Sequence, residues 1–418
     1  MNNIARLVTL VALSLVAVPG IANAQDKASC YDAAAPLTVE EQRLDDTLAP
    51  GGPAVGPELT KRAGFDDDVE RFTQKLCRTF VKRQAQQTAE QAGADLWRTA
   101  VKRAQGKEQT HDVFDDRPLY WARLQMTKAL RQWQPRFALD GQERAKLVQG
   151  LDWASRGIGD INFPNKKAKR IVLTGFDPFQ LNGPTVRRSN PAGAAALQLD
   201  GREIDTPEGK VVVQAAVLPV LWGGFDEGIV EQFYGSAVKA KPQGFVTVSQ
   251  GRPGRFDIER WAARWRGGFP DNNDLRSFGT VPNAAGWPQP ATEFIETTLP
   301  FQKMIDAKTT PYPVAFNLSF CEWPVGTTPG VGPRSCRTDQ PTPGAVAAVG
   351  GGGDYLSNES MYRANRVRIG MQANNVVGGH LHTPVLGQPT DPAALTDAAF
   401  ELERRNIANQ VVALVSAV

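Results

Sequence analysis

Three histidines restrict the acid/base chemistry of this 418-residue chain to a few positions: His111, His380 and His382. Only one residue separates His380 from His382, so on a β-strand both side chains would point to the same face. Imidazole changes charge nearest to neutral pH, so a general base is most readily drawn from this short list of histidines. The cysteines show neither CxxC spacing nor a Cys/His cluster, so we expect no zinc or other metal site.

The beginning of the sequence predicts export. Residues 1–6 are short and positively charged, residues 7–21 are apolar, and Ala-Asn-Ala at 22–24 is a small-residue cleavage site. We therefore predict a signal peptide at 1–24 and a periplasmic or secreted protein. No cysteine follows the cleavage site and no later stretch is apolar for about 20 residues, so neither an acyl anchor nor a membrane anchor is expected.

The four cysteines are expected to form structural disulfides, because an even number in an oxidising compartment favours pairing. They are Cys30, Cys77, Cys321 and Cys336. Three pairings are possible. We favour Cys30–Cys77 with Cys321–Cys336, because each of these pairs lies within one region of the chain.

Two composition regimes predict the fold. Residues 25–165 are polar and carry apolar residues at helical spacing, which predicts an all-α N-terminal region. A loop near 157–168, rich in glycine and ending in lysines, is interpreted as a solvated linker rather than an anion site. From 168 to 418, β-rich runs alternate with amphipathic segments, which predicts an α/β domain with a mostly parallel sheet between helices. The amphipathic segments include 225–239 and 291–305, and a last helix is predicted from Thr396.

Composition excludes several classes of partner and protein. The formal net charge is +3, from 47 Lys+Arg and 44 Asp+Glu, which removes the main electrostatic argument for nucleic-acid binding. Apolar residues form 41% and charged residues 22% of the chain, which is typical of a folded protein rather than a disordered one. A soluble enzyme or binding protein is therefore expected, and its oligomeric state is left open.

A series of motifs in the α/β part resembles the pyroglutamyl peptidase I (pyrrolidone-carboxylate peptidase) family. Thr-Gly-Phe-Asp-Pro-Phe at 174–179, followed by Asn190-Pro191, is similar to the opening of that family. Ser-Gln-Gly at 249–251, Glu-Arg at 259–260 and Phe-Pro-Asp-Asn at 269–272 resemble later motifs. Gly-Asp-Tyr-Leu-Ser-Asn at 353–358 lies over the nucleophile segment, and Gly-His-Leu-His-Thr-Pro at 379–384 over the segment with the family's histidine. The resemblance covers about 168–390, with an insertion near 321–352.

The resemblance implies a cofactor-independent hydrolase that removes an N-terminal pyroglutamyl residue from a small peptide with a blocked N-terminus. It places the nucleophile at Ser357, the general base at His382 and the residue that orients the base at Glu259. Here the chain departs from the family, which uses cysteine as the nucleophile. A gapped alignment would instead put Ala364 or Asn365 at that position. We prefer Ser357, because the residues around it then match without a break.

The three side chains are of the types that acyl transfer needs: a nucleophile, a base and a group that orients the base. Each also has a purely structural interpretation. Ser357 is also a good helix N-cap, His382 can be a satisfied strand-end histidine, and Glu259 can form a surface ion pair with Arg260. His380 is the reserve candidate for the base. The glycine run 350–353 lacks a following Lys-Ser/Thr, so we interpret it as a flexible approach to Ser357 rather than a phosphate loop.

The resemblance also implies a pocket for the flat, neutral pyroglutamyl ring. Phe176 and Phe179 match the phenylalanines that hold the ring, and Gln250 and Asn190 offer amide groups. The alternative for both phenylalanines is core packing, which is the usual role of phenylalanine. The family's Gly-Gly after its first motif is Gln-Leu at 180–181 here.

Three functions remain open from the sequence. The first is an exported pyroglutamyl peptidase that uses Ser357, His382 and Glu259. The second is a catalytically inactive binding protein that keeps the fold and pocket. The third is a serine amidase of different specificity.

Overall fold

The computed structural model describes residues 30–418. The predicted signal peptide lies outside these residues. The first part of the described chain is helical. Its α-helices are α1 (Val39–Gln42), α2 (Val55–Arg62), α3 (Asp66–Cys77), α4 (Lys82–Ala104), α5 (Arg117–Gln132) and α6 (Gly141–Ala154), with a 3₁₀ helix at Arg43–Asp45. No helix in the described part of the chain is both long and apolar enough to cross a bilayer.

The second part of the chain is α/β. Its strands are β1 (Lys169–Phe176), β2 (Glu203–Thr206), β3 (Gly209–Leu218), β4 (Gly244–Gln250), β5 (Phe256–Glu259), β6 (Trp261–Ala263), β7 (Trp265–Gly267), β8 (Phe278–Thr280), β9 (Phe294–Glu296), β10 (Val314–Asn317), β11 (Phe320–Trp323), β12 (Ser335–Arg337), β13 (Val346–Val349) and β14 (Val377–Thr383). Its helices are α7 (Pro191–Leu199), α8 (Trp222–Asp226), α9 (Ile229–Val238), α10 (Phe301–Asp306), α11 (Leu356–Gly370) and α12 (Ala398–Ser416), with a 3₁₀ helix at Gly183–Arg187.

Seven of these strands form the central sheet in the order β10-β5-β14-β4-β1-β3-β2. Strands β3, β1, β4 and β14 run parallel, β10 runs parallel to β5, and the β2–β3 and β14–β5 pairs are antiparallel. This is the mostly parallel sheet between helices that the sequence predicted.

Alternation along the strands divides the core into two layers. Ile171 and Leu173 of β1 pack into a cluster with α7, α12 and helices of the N-terminal region, whereas Val172 packs with α8, α9 and α11 on the other face. The first cluster includes Leu96 and Trp97 of α4, so the N-terminal helices share a hydrophobic core with the sheet. Burying apolar surface on both faces is what makes near-continuous apolar strands stable.

Three sequence predictions on helices need correction. The segment 291–305 is not one helix: it contains β9, which pairs with β6, and then α10, because Pro300 interrupts any continuous helix. The segment 225–239 is divided at Gly228, which has a left-handed backbone with φ of 81°. The last helix is capped by Asp397 rather than Thr396, since the Asp397 side chain accepts from the Phe400 N–H.

Both disulfides have the favoured pairing, Cys30–Cys77 and Cys321–Cys336. Cys321 and Cys336 are directly opposite each other on β11 and β12, in a three-stranded sheet completed by β13. This small sheet is built from the segment 321–352, which the sequence identified as an insertion.

Candidate active site

The neighbouring strands β4, β14 and β5 carry a row of polar side chains into the protein. Leu381 of β14 and its partners Val248 and Ile258 are apolar and pack on one face of the sheet. Because side chains alternate along a strand, His380 and His382 both lie on the other face. The sequence places polar residues on a single face of three buried strands, and this is the arrangement of a site rather than of a core.

His382 and Glu259 are joined by a short hydrogen bond within this row. His382 Nδ1 lies 2.7 Å from Glu259 Oε1, and both side chains are buried. A carboxylate can only accept, so Nδ1–H is the donor and Nε2 keeps its lone pair. Asn317 at the end of β10 donates from Nδ2 to Glu259 Oε2 at 2.7 Å, which fixes the carboxylate. The imidazole is therefore oriented as a proton acceptor.

Glu259 is not the surface ion-pair residue that the alternative interpretation proposed. It is 1% exposed, whereas its neighbour Arg260 pairs with Glu296 at 2.8 Å. Arg260 follows the last residue of β5, so the Glu-Arg pair separates into one buried residue on the strand and one residue paired outside it.

Ser357 lies in the first turn of α11 and lines the same cleft as His382 and Glu259. The residue at the N-cap position is Tyr355, which places Ser357 inside the helix and rules out the capping role considered above. Within residues 30–418, the Ser357 hydroxyl and His382 Nε2 have no hydrogen-bond partner, so the two are not bonded to each other. In unliganded sites such bonds are often long and tighten only when substrate binds.

The glycine run 350–353 packs directly against these residues. A Cβ on Gly351 would lie 2.2 Å from Glu259 Oε2, and one on Gly352 would lie 3.2 Å from His382 Cε1. A Cβ on Gly350 would lie 2.1 Å from the Asn358 side-chain oxygen. The backbone of the run is also held, since the Gly351 N–H donates to the Trp261 carbonyl at 2.8 Å. The run is therefore a close-packed wall of the site, which corrects its interpretation as a flexible approach.

The cleft has a volume of about 570 Å³ and opens where β4 and β14 end. Phe179 and Gln250, which the sequence predicted as substrate-binding residues, both line it. The Gln250 side-chain oxygen accepts from the Leu386 N–H at 2.9 Å, which ties two walls together. Ligands of α/β sheets bind at such carboxyl ends of strands.

Two predicted substrate-binding residues lie elsewhere. Phe176, the last residue of β1, is 3% exposed and stacks on Phe225 in the core. Asn190 caps α7: its side chain accepts from the Ala192 N–H and donates to the Asp177 carbonyl. Neither residue lines the cleft. Phe176 thus has the core role that was the alternative for both phenylalanines, and Asn190 acts on the backbone rather than on a ligand.

The reserve candidate His380 is a satisfied core histidine. Its two ring nitrogens lie 2.7 Å from the Thr247 hydroxyl and 2.8 Å from the Ser249 hydroxyl. Burial, with a smaller effect from His382, holds the pKa of His380 well below its ordinary value. A neutral imidazole with both nitrogens bonded has no lone pair or proton to offer a substrate.

The N-terminal helices hold the loops that build the cleft. Arg123 of α5 donates to both Asp177 oxygens at 2.9 and 3.0 Å, and Arg156, just after α6, donates to the same carboxylate. Asp116 accepts from the Ser189 hydroxyl and from the Asn190 N–H. Burial and the neighbouring Asp115 raise the pKa of Asp116 to about 7. The motif segments 174–179 and 189–191 are therefore fixed by residues of the helical region.

Glu40 forms a further contact between the N-terminal region and these loops. Its Oε1 accepts from the Tyr120 hydroxyl at 2.9 Å and from Asn272 Nδ2 at 3.0 Å. The same Asn272 amide donates to the Pro178 carbonyl. Sequence reasoning missed Glu40, as well as Arg123, Asp116 and Asn317, because each meets its partner through tertiary packing and carries no local motif.

Two family models and one curated protein match this chain. The family model described as PA0049 N-terminal domain matches residues 22–152, and the one described as PA0049, C-terminal domain, matches 170–290 and 321–387. A Pseudomonas aeruginosa relative named uncharacterized protein PA0049 is 30% identical, over 93% of this chain and 90% of its own. The chain belongs to the PA0049 family.

Solved structures similar to this PA0049 family member include two peptidases. The pyrrolidone carboxyl peptidase of Pyrococcus furiosus is 21% identical, with a TM-score of 0.37 over 60% of this chain and 100% of its own. The pyroglutamyl peptidase I of Bacillus amyloliquefaciens is 20% identical, with a TM-score of 0.39 over 60% of this chain and 97% of its own.

Proposed function

We propose that this protein is an exported hydrolase that removes N-terminal pyroglutamyl groups from peptides by serine-based acyl transfer. The observation that carries the proposal is the 2.7 Å hydrogen bond between His382 and Glu259 in the wall of a cleft that Ser357 also lines. The pyroglutamyl specificity is proposed because the sequence motifs resemble those of the pyroglutamyl peptidase I family. The predicted signal peptide and the two disulfides support export.

In the proposed reaction, Ser357 Oγ attacks the carbonyl carbon of the pyroglutamyl residue while its proton passes to His382 Nε2. The tetrahedral intermediate collapses to an acyl ester on Ser357, and the same proton leaves with the amine of the released peptide. Water then attacks the ester with His382 again as base, which frees pyroglutamate and restores the serine. Glu259 stabilises the imidazolium that forms in each half of the reaction.

The first turn of α11 supplies the partner for the developing negative charge. The first N–H groups of a helix have no acceptor within the helix, and they point toward its N-terminus. Ser357 is the second residue of α11, so these donors belong to its own turn of the helix. Such pre-oriented donors are worth about 10²–10³ in kcat where they bind an oxyanion. Phe179 and Gln250 provide an aromatic wall and an amide for the pyroglutamyl ring.

The test is release of a fluorophore from a pyroglutamyl amide by the mature protein beside its Ser357→Ala variant. We expect turnover by the wild type and loss of at least about 1,000-fold in kcat in the variant, as for other nucleophile deletions. Circular dichroism of the variant checks that it is folded. Equal turnover in both proteins would remove Ser357 as the nucleophile, and no turnover in either would remove the proposed peptidase activity.

Two observations favour alternative functions. The missing hydrogen bond between Ser357 and His382 in the described structure favours an inactive binding protein. The core position of Phe176 leaves the predicted ring pocket with one of its two phenylalanines, which favours a serine amidase of another specificity. Binding of pyroglutamyl peptides without product supports the first alternative. Turnover of other acyl amides, lost in Ser357→Ala, supports the second.

A further inference from the structure

Positive charge is in excess around the cleft. Arg252 in its wall and the nearby Arg255 share one carboxylate, that of Asp257, with N–O distances of 3.8 and 3.0 Å. Glu259 is already bonded to His382, and Asp354, which also lines the cleft, lies 3.8 Å from the guanidinium of Arg334. Arg188 also lines the cleft, and within residues 30–418 no carboxylate lies within ion-pair distance of its guanidinium. The cleft therefore contains a cation that lacks an anion.

Arg188 is held in place by a neighbouring residue with an unusual backbone. Its Nη1 donates to the side-chain oxygen of Gln180, which also lines the cleft. Gln180 has a φ of 57°, in the left-handed region of the backbone that residues other than glycine rarely occupy. Such conformations cost free energy, and they cluster at ligand sites where the surrounding structure maintains them. The strained loop thus presents a guanidinium to the cleft.

The guanidinium has capacity for a ligand. Arg188 is half-buried, and burial lowers its pKa because no nearby carboxylate compensates for the lost hydration. A planar guanidinium carries five N–H donors, of which Gln180 takes one. Carboxylates match this fork with two parallel hydrogen bonds. The chemistry at Arg188 therefore selects an anionic, planar group.

We infer that Arg188 binds the C-terminal carboxylate of a short substrate, so that the enzyme prefers pyroglutamyl dipeptides with a free carboxylate. This inference rests on the proposed function, which supplies the pyroglutamyl end. The cleft volume of about 570 Å³ is that of a small-molecule site, which limits the distance between the ring and the carboxylate to a few bonds. A long peptide would carry its carboxylate outside the cleft.

The test compares kcat/KM for pyroglutamyl-alanine and for its C-terminal amide, which lacks the charge. We expect the wild type to prefer the acid by about tenfold or more, the effect of a charge-assisted hydrogen bond. Arg188→Gln should lose this preference but keep the activity on the amide, and Arg188→Lys should keep part of the preference. Arg202→Gln, at an exposed arginine outside the cleft, is the matched control. Equal rates on acid and amide in the wild type would overturn the inference, as would equal losses on both substrates in Arg188→Gln.

A binding measurement separates this inference from the proposed function. Titration calorimetry with the Ser357→Ala variant measures the affinity for the same two peptides with and without Arg188→Gln. Tighter binding of the acid that depends on Arg188, without turnover by the wild type, would support the inference and overturn the peptidase proposal. Turnover of both peptides without preference would overturn the inference alone, and binding of neither peptide would overturn the inference.

Discussion

Two buried polar clusters of the molecule differ in what they leave unpaired. The cleft cluster consists of His382, Glu259 and Asn317. The interface cluster consists of Asp177 with Arg123 and Arg156, and it joins the N-terminal helices to the loop after β1. Both are almost fully removed from water. Only the cleft cluster includes residues that line the cleft.

The difference lies in hydrogen-bonding capacity. In the interface cluster, guanidinium groups donate to both oxygens of Asp177, so the carboxylate is saturated. In the cleft cluster, Glu259 and His382 Nδ1 are saturated, but His382 Nε2 has no partner within residues 30–418. A saturated buried cluster fixes a structure, whereas one open lone pair at a cleft wall can accept a proton. Disrupting the cleft cluster should therefore lower the activity, whereas disrupting the interface cluster should lower the stability.

Glu259→Gln disrupts the cleft cluster, and we expect it to have the largest effect of the substitutions considered. An amide cannot stabilise an imidazolium, and its NH₂ group can favour the wrong histidine tautomer, so kcat should fall about 1,000-fold or more with little change in KM. Steady-state kinetics on a pyroglutamyl amide measures this loss. Glu296→Gln is the control, because Glu296 is exposed and pairs with Arg260 on the surface. A Glu259→Gln variant within tenfold of the wild type would show that Glu259 does not orient the base.

Arg123→Met should break the interface cluster and act on stability. Methionine fills much of the volume but leaves Asp177 with one guanidinium, and removing a partner from a buried ion pair costs about 3–5 kcal/mol of unfolding free energy. Urea unfolding of the mature protein measures the change. Arg98→Met provides the comparison, because Arg98 pairs with Asp95 on the surface of α4, where little change is expected. If Arg123→Met were as stable as the wild type, the helical region would not depend on this contact.

The cleft cluster was predictable from the sequence to a greater extent than the interface cluster. His382 and Glu259 occur in ordered motifs that lie at strand ends, and β-rich runs indicated those strands. Asn317 had no such motif, and only the parallel pairing of β10 with β5 brings it to Glu259. Arg123 meets Asp177 across 54 residues of chain through helix packing, which no local pattern records.

The two phenylalanines of the first motif show where local pattern fails even inside a recognisable segment. Both Phe176 and Phe179 were predicted to hold the substrate. Phe176 is still on β1, so the alternation of the strand directs it into the core against Phe225, whereas Phe179 lies beyond the strand and reaches the cleft. The position at which the strand ends decides whether a phenylalanine points into the core or into the cleft. Sequence patterns predict the ends of strands only to within a few residues.

Glu40→Gln should change how the stability of the protein depends on pH. Burial and the carboxylate of Asp177 raise the pKa of Glu40 from 4.5 to about 7. Between these two values the folded protein keeps a proton that the unfolded chain releases, so the free energy of unfolding falls as pH rises, by at most about 3 kcal/mol. Glutamine carries no such proton, and its oxygen can keep the bonds from Tyr120 and Asn272.

The variant should therefore gain stability relative to the wild type between pH 5 and pH 8, as measured by urea unfolding at both values. Glu90→Gln, at an exposed position of α4, should show the wild-type pH dependence. A constant difference between Glu40→Gln and wild type at both pH values would mean that Glu40 is ionised in the folded protein. In the expected case, the interface changes stability with pH while the cleft cluster, which does not contain Glu40, keeps its geometry. The change in stability would then come from Glu40, which contacts the loops beside the cleft but is not one of the residues proposed to catalyse the reaction.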